Sequence, residues 1–120
     1  MKRIVLIDDD PEFRNMLQEG LTQAGFEIFP ACDGVEGLTC IKENMPDLVI
    51  TDIIMPEKEG VETILEIKAL YPDMKYIAIS GGGRSKPEGY LTVAKSLGAV
   101  ETFSKPFKLV DLIKTINSVL

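Results

Sequence analysis

Five short apolar runs alternate with five longer amphipathic segments along the 120 residues of the chain. The short runs are rich in β-branched residues and predict buried strands, whereas the longer segments place apolar residues at helical spacing. The predicted strands are residues 3–7, 27–31, 47–51, 75–80 and 101–103, and helices are predicted within residues 10–26, 33–44, 60–72, 90–98 and 108–120. Strict alternation of strand and helix is typical of a parallel sheet covered by helices on both faces. We therefore predict a doubly wound α/β fold in which residues 1–120 form one domain.

Capping and stop signals mark the ends of the first two predicted helices. Asp10 can cap the first helix, Pro11 suits its first position, and Gly25 suits the position after its end. Asp33 followed by Gly34 is a turn and capping signal for the second helix. The predicted apolar faces consist of Phe13, Met16, Leu17, Leu21 and Ala24 in the first helix and of Val35, Leu38 and Ile41 in the second.

The charge balance excludes several classes of function. The chain has 19 acidic and 13 basic residues, and its net charge is −6. Direct binding to nucleic acid or to anionic lipid needs a concentrated basic surface, so we expect neither partner. The chain has no histidine. A histidine-based catalytic triad, a histidine general base and a histidine metal ligand are therefore excluded.

The cysteine pattern and the hydropathy pattern indicate the cell interior. Cys32 and Cys40 match neither a zinc-binding spacing nor a CxxC redox motif, and we expect both to be buried thiols in a reducing compartment. No apolar run approaches the roughly 18–20 residues that cross a bilayer. The first residues, MKRIVLIDDD, lack the cleavage site of a signal peptide. We therefore predict a cytoplasmic protein without a membrane partner.

Polar residues follow four of the five predicted strands at the point where each strand ends. Ligands of an open parallel sheet bind beyond the carboxyl ends of the strands, so these residues are the candidates for a site. They are Asp8, Asp9 and Asp10 after the first strand, Asp52 after the third, Ser80 after the fourth and Lys105 after the fifth; Gly81 follows Ser80 and offers its backbone N–H, and Pro106 follows Lys105.

This set of groups favours phosphoryl transfer. Carboxylates that lie close together repel one another unless some protonate or a cation binds between them, and an oxygen-only ligand set suits Mg²⁺. A lysine and a hydroxyl are what an anionic phosphoryl oxygen needs. The chain has no P-loop and no GxGxxG motif, so a carboxylate that itself accepts the phosphoryl group is the remaining option, and Asp52 is the best candidate.

Each of these features has a plain alternative when it is taken alone. The run Asp8 to Asp10 could be a solvated loop in which Asp10 caps a helix. Asp52 could be a turn residue, and Ser80 with the following glycines could be a flexible turn. Lys105 could be a surface lysine before a helix. Their joint placement after strands one, three, four and five favours a common site.

The chain resembles the receiver domain of two-component response regulators over essentially its whole length. The resemblance lies in VLIDDDPEFR, PDLVITDIIMPEKEG, IAISG and GAVETFSKPF. It implies a five-stranded parallel sheet of strand order 2-1-3-4-5, the flavodoxin-like order. It also implies a stand-alone, single-domain receiver.

The resemblance assigns a role to each candidate residue. Asp52 would be the phosphoacceptor, and Asp8 and Asp9 would bind Mg²⁺ together with Asp52 and the backbone carbonyl of Ile54. The residues in contact with the phosphoryl group would be Lys105, Ser80 and Gly81. Asp10 matches no metal-binding position, and we interpret it as a helix cap. Pro106 would follow a cis peptide bond.

Two departures from the family pattern concern the signal relay. Thr102 stands where the family carries a switch aromatic that acts with Ser80, so we expect no aromatic rotation there. Phe103, one place later, is expected to point into the core. The segment from Gly81 to Gly89 is longer than usual in the family, and it could be a surface insert without a role.

The resemblance implies that the domain receives a phosphoryl group from a histidine kinase, a phosphotransfer protein or a small donor. Phosphorylation would change a surface formed by the predicted fourth helix, the fifth strand and the last helix, and that surface would bind a downstream protein. We expect a monomer or weak dimer that catalyses only its own phosphorylation and dephosphorylation.

Two other classes of function remain open at this point. A Mg²⁺-dependent phosphatase with an aspartyl nucleophile usually has a second acid two residues after the nucleophile, where this chain has Ile54. A receiver-like interaction module that never receives phosphate would be expected to have lost one of the site residues. Steady turnover of phosphate esters would favour the phosphatase, and failure to bind Mg²⁺ or a phosphate mimic would favour the module.

Overall fold

Five parallel strands form one sheet of order β2-β1-β3-β4-β5 in the computed structural model, which describes residues 1–53, 60–80 and 95–120. The strands are β1 (Arg3–Ile7), β2 (Glu27–Ala31), β3 (Leu48–Asp52), β4 (Tyr76–Ser80) and β5 (Glu101–Ser104). The predicted fold and strand order are confirmed, and each strand lies within two residues of its predicted bounds. Asp52 is the last residue of β3 rather than the first residue beyond it.

Four helices connect or follow these strands in the described part of the chain. They are α1 (Pro11–Gln23), α2 (Gly34–Asn44), α3 (Gly60–Leu70) and the C-terminal helix α4 (Leu109–Val119). The predicted helix 90–98 lies mostly outside the described residues, although Lys95 and Ser96 are helical. The predictions for Ile54, for Gly81 and for the segment up to Gly89 also lie outside them. No helix within the described ranges is long and apolar enough to span a membrane.

The sheet is buried on both faces, and each face has its own apolar core. One core packs α2 and α3 against the sheet and contains Val5, Ile7, Ile41, Ile64 and Ile67. The other packs α1 and α4 against the opposite face and contains Ile4, Leu6, Leu17, Leu21, Leu112 and Ile116. Successive residues of β1 therefore point to opposite cores, which is why the strand is a continuous apolar run without polar alternation.

The predicted helix caps are present. One carboxylate oxygen of Asp10 accepts hydrogen bonds from the backbone N–H groups of Glu12 and Phe13, at 3.1 and 3.3 Å. The side chain of Asp33 accepts one from the N–H of Glu36 at 2.8 Å. Gly25 has a φ of +102°, the left-handed conformation that ends many helices. The ends of α1 and α2 thus follow from local residues.

The predicted apolar face of α2 is wrong in one respect. Val35 is 62% exposed, and the buried residues of the helix are Gly34, Gly37 and Ile41. A Cβ atom on Gly37 would lie 2.3 Å from Cδ1 of Ile7, so α2 approaches β1 more closely than a side chain would permit. The glycines that weaken the helix as an isolated element allow this close packing.

The predicted face of α1 is also wider than the observed one. Leu17 and Leu21 are buried, but Met16 is 52% exposed and Ala24 is exposed at the helix end. The side of α1 toward α4 is instead occupied by Gly20, where an added Cβ would lie 2.3 Å from Cδ2 of Leu109. Which residues of this face are buried therefore depends on how closely α4 approaches, and helical spacing alone does not predict that.

The prediction of two buried thiols is wrong. Cys32 is exposed and Cys40 is half-buried, and neither forms a disulfide. Cys32 lies between the end of the edge strand β2 and the cap of α2, where it is exposed. Its Sγ lies 3.4 Å from Oε2 of Glu36. The hydrogen bond to Glu36, together with slight burial and nearby negative charge, raises the pKa of the Cys32 thiol.

Tyr76 is the largest fully buried side chain in the core that packs α2 and α3 against the sheet. It begins β4, is 1% exposed and belongs to the core on the α2 and α3 side of the sheet. Burial disfavours the phenolate and raises the pKa of Tyr76 from 10.0 to about 12. The folded protein therefore retains this proton at pH values where the unfolded chain has lost it.

We predict that the higher pKa of Tyr76 in the folded state than in the unfolded state makes the protein less stable between about pH 10 and pH 12. The unfolded state releases the Tyr76 proton first, so the stability present below pH 10 falls by roughly 1.4 kcal/mol per pH unit as the pH rises through this window. The measurement is urea unfolding of the wild type and of Tyr76→Phe at several alkaline pH values. The wild type should lose stability relative to the variant, and parallel curves would contradict the prediction.

Candidate functional site

The ammonium group of Lys105 bridges two buried carboxylates at the carboxyl edge of the sheet. Its Nζ lies 3.1 Å from Oδ2 of Asp8 and 3.2 Å from Oδ2 of Asp52. Asp8 and Asp52 are 1% and 4% exposed, while the lysine side chain is 18% exposed. The residues that follow β1 and β5 thus meet the last residue of β3, as the sequence predicted.

Backbone hydrogen bonds continue beyond the strands and hold these residues in place. The N–H of Asp8 donates to the carbonyl of Ala31 at the end of β2, at 3.1 Å. The N–H of Lys105 donates to the carbonyl of Ser80 at the end of β4, at 2.8 Å. Because Asp52 itself belongs to β3, all three charged side chains leave backbone that is fixed by the sheet.

Three carboxylates form a group that could hold a metal ion. Oxygen atoms of Asp8, Asp9 and Asp52 lie within 4.8 Å of one another, and Asp9 is the exposed member. Carboxylate oxygens are the ligands that Mg²⁺ prefers, and a cation would offset the repulsion between these charges. The donor set therefore fits Mg²⁺. The carbonyl of Ile54, the fourth predicted ligand, lies outside the described residues.

Burial and charge shift the pKa values of the paired groups. Burial raises the pKa of the Asp8 carboxyl, and the charge of Asp9 adds to this effect; the backbone N–H of Asp10 and the ammonium of Lys105 offset it only in part. Burial lowers the pKa of Lys105, but Asp8 and Asp52 outweigh it and leave that pKa raised. Lys105 therefore stays protonated. Ionisation of Asp8, in contrast, costs the folded state free energy in the absence of a metal ion.

The third acid of the DDD run has a structural role. Its backbone N–H donates to Oδ1 of Asp8 at 2.9 Å, and its side chain caps α1. Asp10 therefore orients the carboxylate of Asp8 and lies outside the carboxylate group itself. The interpretation of Asp10 as a cap is confirmed.

Sequence reasoning missed Arg14. Its Nη1 donates to the backbone carbonyl of Asp8 at 2.6 Å, so a side chain from the start of α1 holds the acidic loop in place. The available signal was a basic residue one turn after an acidic loop, at a position where a helix directs its side chain toward the N-terminal end.

Ser80 and Thr102 lie at different positions along the strand direction. Ser80 is fully buried at the end of β4, where it pairs with Ser104. Thr102 pairs with Ala78, two residues before the strand ends. Phe103 packs against the core on the α1 and α4 side, as predicted.

The connection from β5 to α4 carries the lysine and an aromatic residue. The peptide bond between Lys105 and Pro106 is cis, as the resemblance implied. Phe107 follows and contacts the ring of Phe13 with a centroid distance of 5.7 Å and an interplanar angle of 84°. The Nζ of Lys105 lies 4.0 Å from the centroid of the Phe13 ring. The sequence predicts Phe13 only on the apolar face of α1 and does not predict its contact with the site.

Known proteins are similar to this chain in both sequence and fold. The sequence matches the response regulator receiver domain family over residues 4–117. The chemotaxis protein CheY of Thermotoga maritima is 34% identical over 119 residues, which are 98% of this chain and 97% of that protein. The transcriptional regulatory protein PrrA of Mycobacterium tuberculosis is 32% identical over 118 residues, and the match covers 98% of this chain but 49% of PrrA. The chain therefore spans about half the length of this relative.

Solved structures agree with the sequence comparison. The crystal structure of a response regulator receiver domain protein from Clostridium thermocellum superposes with a TM-score of 0.90 at 32% sequence identity, covering 98% of this chain and 93% of that one. The chemotaxis protein CheY4 of Vibrio cholerae gives a TM-score of 0.88 at 28% identity over the whole chain. The family match, the five-stranded sheet and the acidic site together establish that this chain belongs to the response regulator receiver domain family.

Proposed function

We propose that the chain is a phosphoacceptor domain in which Asp52 receives a phosphoryl group. The observation that carries the proposal is the position of Lys105, whose ammonium contacts the carboxylates of Asp52 and Asp8 at one edge of the sheet. An ammonium beside a reactive carboxylate can offset the charge that an incoming phosphoryl group brings. The donor would be a histidine kinase, a phosphotransfer protein or a small phosphorylated compound.

The proposed transfer forms one bond and breaks one bond. A carboxylate oxygen of Asp52 attacks the phosphorus, the bond from phosphorus to the donor breaks, and the donor leaves with its bonding electron pair. The product on Asp52 is a mixed anhydride of a carboxylic acid and phosphoric acid. Attack of water on phosphorus later releases inorganic phosphate and restores the carboxylate. Lys105 stays charged in both steps and faces the oxygens that carry negative charge, and Ser80 is proposed to contact another phosphoryl oxygen.

Asp8, Asp9 and Asp52 are the described residues that would hold Mg²⁺. A bound Mg²⁺ would offset negative charge on the phosphoryl oxygens and on the surrounding carboxylates. Asp8 and Asp9 would supply carboxylate ligands besides Asp52, and Asp10 and Arg14 keep the acidic loop in place.

The proposed output is a change in a protein-binding surface. Conversion of the Asp52 carboxylate into an acyl phosphate replaces a single negative charge by about two negative charges next to Lys105. Lys105 leads directly into α4, so a shift of its ammonium acts on the connection between β5 and α4. We propose that this face, with the predicted helix 90–98, binds a downstream protein in the cytoplasm. The chain would be a monomer or weak dimer without catalytic turnover of other substrates.

The proposal predicts that Asp52→Asn abolishes labelling by acetyl phosphate in the presence of Mg²⁺. The amide lacks the nucleophilic carboxylate, so no acyl phosphate can form. Intact-protein mass spectrometry should show one added phosphoryl group on the wild type and none on the variant. Asp73→Asn is the matched control, since Asp73 is exposed and precedes β4, at the edge of the parallel sheet opposite to Asp52; it should be labelled like the wild type.

Three outcomes would contradict this proposal. Labelling of Asp52→Asn to the wild-type level would move the acceptor elsewhere. Absence of labelling in the wild type with every donor class would favour an interaction module instead, and steady hydrolysis of phosphate esters would favour a phosphatase.

A further prediction concerns Asp8 and Mg²⁺. Because burial raises the pKa of Asp8, its ionised form destabilises the metal-free fold, and Asp8→Asn should raise the thermal midpoint in EDTA at pH 7. Mg²⁺ at ten times its Kd should stabilise the wild type by about 1.4 kcal/mol, and the variant by clearly less. Differential scanning calorimetry with and without Mg²⁺ measures both effects.

Asp10→Asn is the control for the Asp8 variant. Asn caps a helix about as well as Asp, and Asp10 lies outside the carboxylate group. Its thermal midpoint and its response to Mg²⁺ should stay close to those of the wild type. An equal Mg²⁺ response in Asp8→Asn and in the wild type would remove Asp8 from the proposed metal site.

A further inference from the structure

The Phe13 ring and the acidic loop form a closed circuit of contacts around Lys105. The Lys105 ammonium donates to Oδ2 of Asp8, and Oδ1 of Asp8 accepts from the N–H of Asp10. The side chain of Asp10 accepts from the N–H of Phe13. The Phe13 ring lies under the ammonium, with 4.0 Å between its centroid and Nζ. Each member of the circuit therefore constrains the next.

Lysine needs such a constraint to hold a defined position. Its ammonium is a point charge at the end of a flexible four-carbon stem, which loses rotamer entropy when the ammonium is held in one position. The carboxylates of Asp8 and Asp52 attract it. One of them, Asp52, is the proposed acceptor, so its charge and its position change when the phosphoryl group is attached. An attraction that does not depend on Asp52 would keep the ammonium near the transferred group.

An aromatic ring supplies this attraction without adding an anion. The face of a phenyl ring carries partial negative charge and attracts a cation within about 6 Å of its centroid. A further carboxylate in the same place would attract Lys105 as well, but it would repel the phosphoryl group and enlarge a cluster of three acids. Phe13 is half-buried, and partial removal from water strengthens its attraction for the ammonium.

The ring itself is braced by the segment that carries the lysine. Phe107, two residues after Lys105, meets the Phe13 ring edge to face, and its own ring lies 5.1 Å from that of Phe103 in β5. The backbone N–H of Phe13 is held by the cap of α1. The start of α1 and the end of β5 thus fix the ring from two sides.

We propose that Phe13 is a positioning residue for Lys105, and that its ring face holds the ammonium beside Asp52 for phosphoryl transfer. This inference rests on the proposed function. It predicts that the rate of phosphorylation depends on the electron density of the ring as well as on its size.

The test replaces Phe13 with phenylalanine carrying one, two or three ring fluorines by site-specific incorporation. Fluorines withdraw electron density from the ring face and change its shape little. The initial rate of labelling by acetyl phosphate with Mg²⁺ should fall stepwise along the series, reaching a loss of roughly two- to fivefold. Phe13→Leu should show a loss of at least this size, and Phe13→Tyr should retain the rate of the wild type.

Phe29→Leu is the matched control. It removes the same atoms from a half-buried phenylalanine that packs against the core on the other face of the sheet. Its labelling rate should equal that of the wild type. A rate that stays constant along the fluorine series, in protein that unfolds at the wild-type temperature, would overturn the inference.

A second readout does not depend on phosphorylation. Urea unfolding without Mg²⁺ is compared for the wild type, Phe13→Leu, Lys105→Met and the double variant. Phe13→Leu should reduce the folding equilibrium constant about two- to fivefold more in the wild type than in the Lys105→Met background. Equal losses would show that the ring and the ammonium do not interact, which also overturns the inference.

The two readouts separate this inference from the proposed function. If the wild type is not labelled by any donor, the proposed function fails and the role of Phe13 in transfer fails with it, whatever the unfolding data show. If the wild type is labelled but either the fluorine series or the variant cycle shows no effect, the proposed function stands and the positioning role alone is wrong.

Discussion

The ammonium of Lys105 donates to carboxylate oxygens of Asp8 and Asp52, which lie 97 and 53 residues away along the chain. The carboxylates of Asp8 and Asp52 are almost fully buried, lie close together and repel each other. Removal of the cation that lies between them would leave uncompensated buried charge. The fold meets this constraint by ending β1, β3 and β5 at one edge of a parallel sheet. The order β2-β1-β3-β4-β5 places β1 and β3 side by side, and β4 joins β3 to β5.

The apolar interior is the rigid support for this charged edge. β1, β3 and β4 are buried on both faces, so their backbones cannot move without disturbing two cores. Ile7 illustrates the connection. It precedes Asp8 directly, and its side chain fills the space that Gly37 leaves open on α2. The position of an acid at the edge of the sheet thus depends on packing between a strand and a helix beneath it.

Local signals in the sequence predicted the structure correctly, whereas the burial of several side chains, which depends on neighbouring elements, was predicted wrongly. Asp10 and Asp33 cap their helices because a cap needs only the side chain and the next few backbone N–H groups. The exposure of Val35 and Cys32 was misjudged, because burial depends on which elements pack nearby. Hydrophobic periodicity reports which face of a helix is apolar, but it does not report how closely another element approaches.

The sequence by itself determined the βα alternation, the helix caps and the set of acids and the lysine that end the strands, because these features depend on residue type and short-range spacing. Its resemblance to receiver domains also predicted the strand order. Only the tertiary structure decided that Lys105 bonds both Asp8 and Asp52 while Asp9 stays exposed. It also decided that Phe13 lies against the ammonium. The physical reason is that these contacts join segments brought together by the packing of two cores, and their distances and burial arise only when the whole sheet has formed.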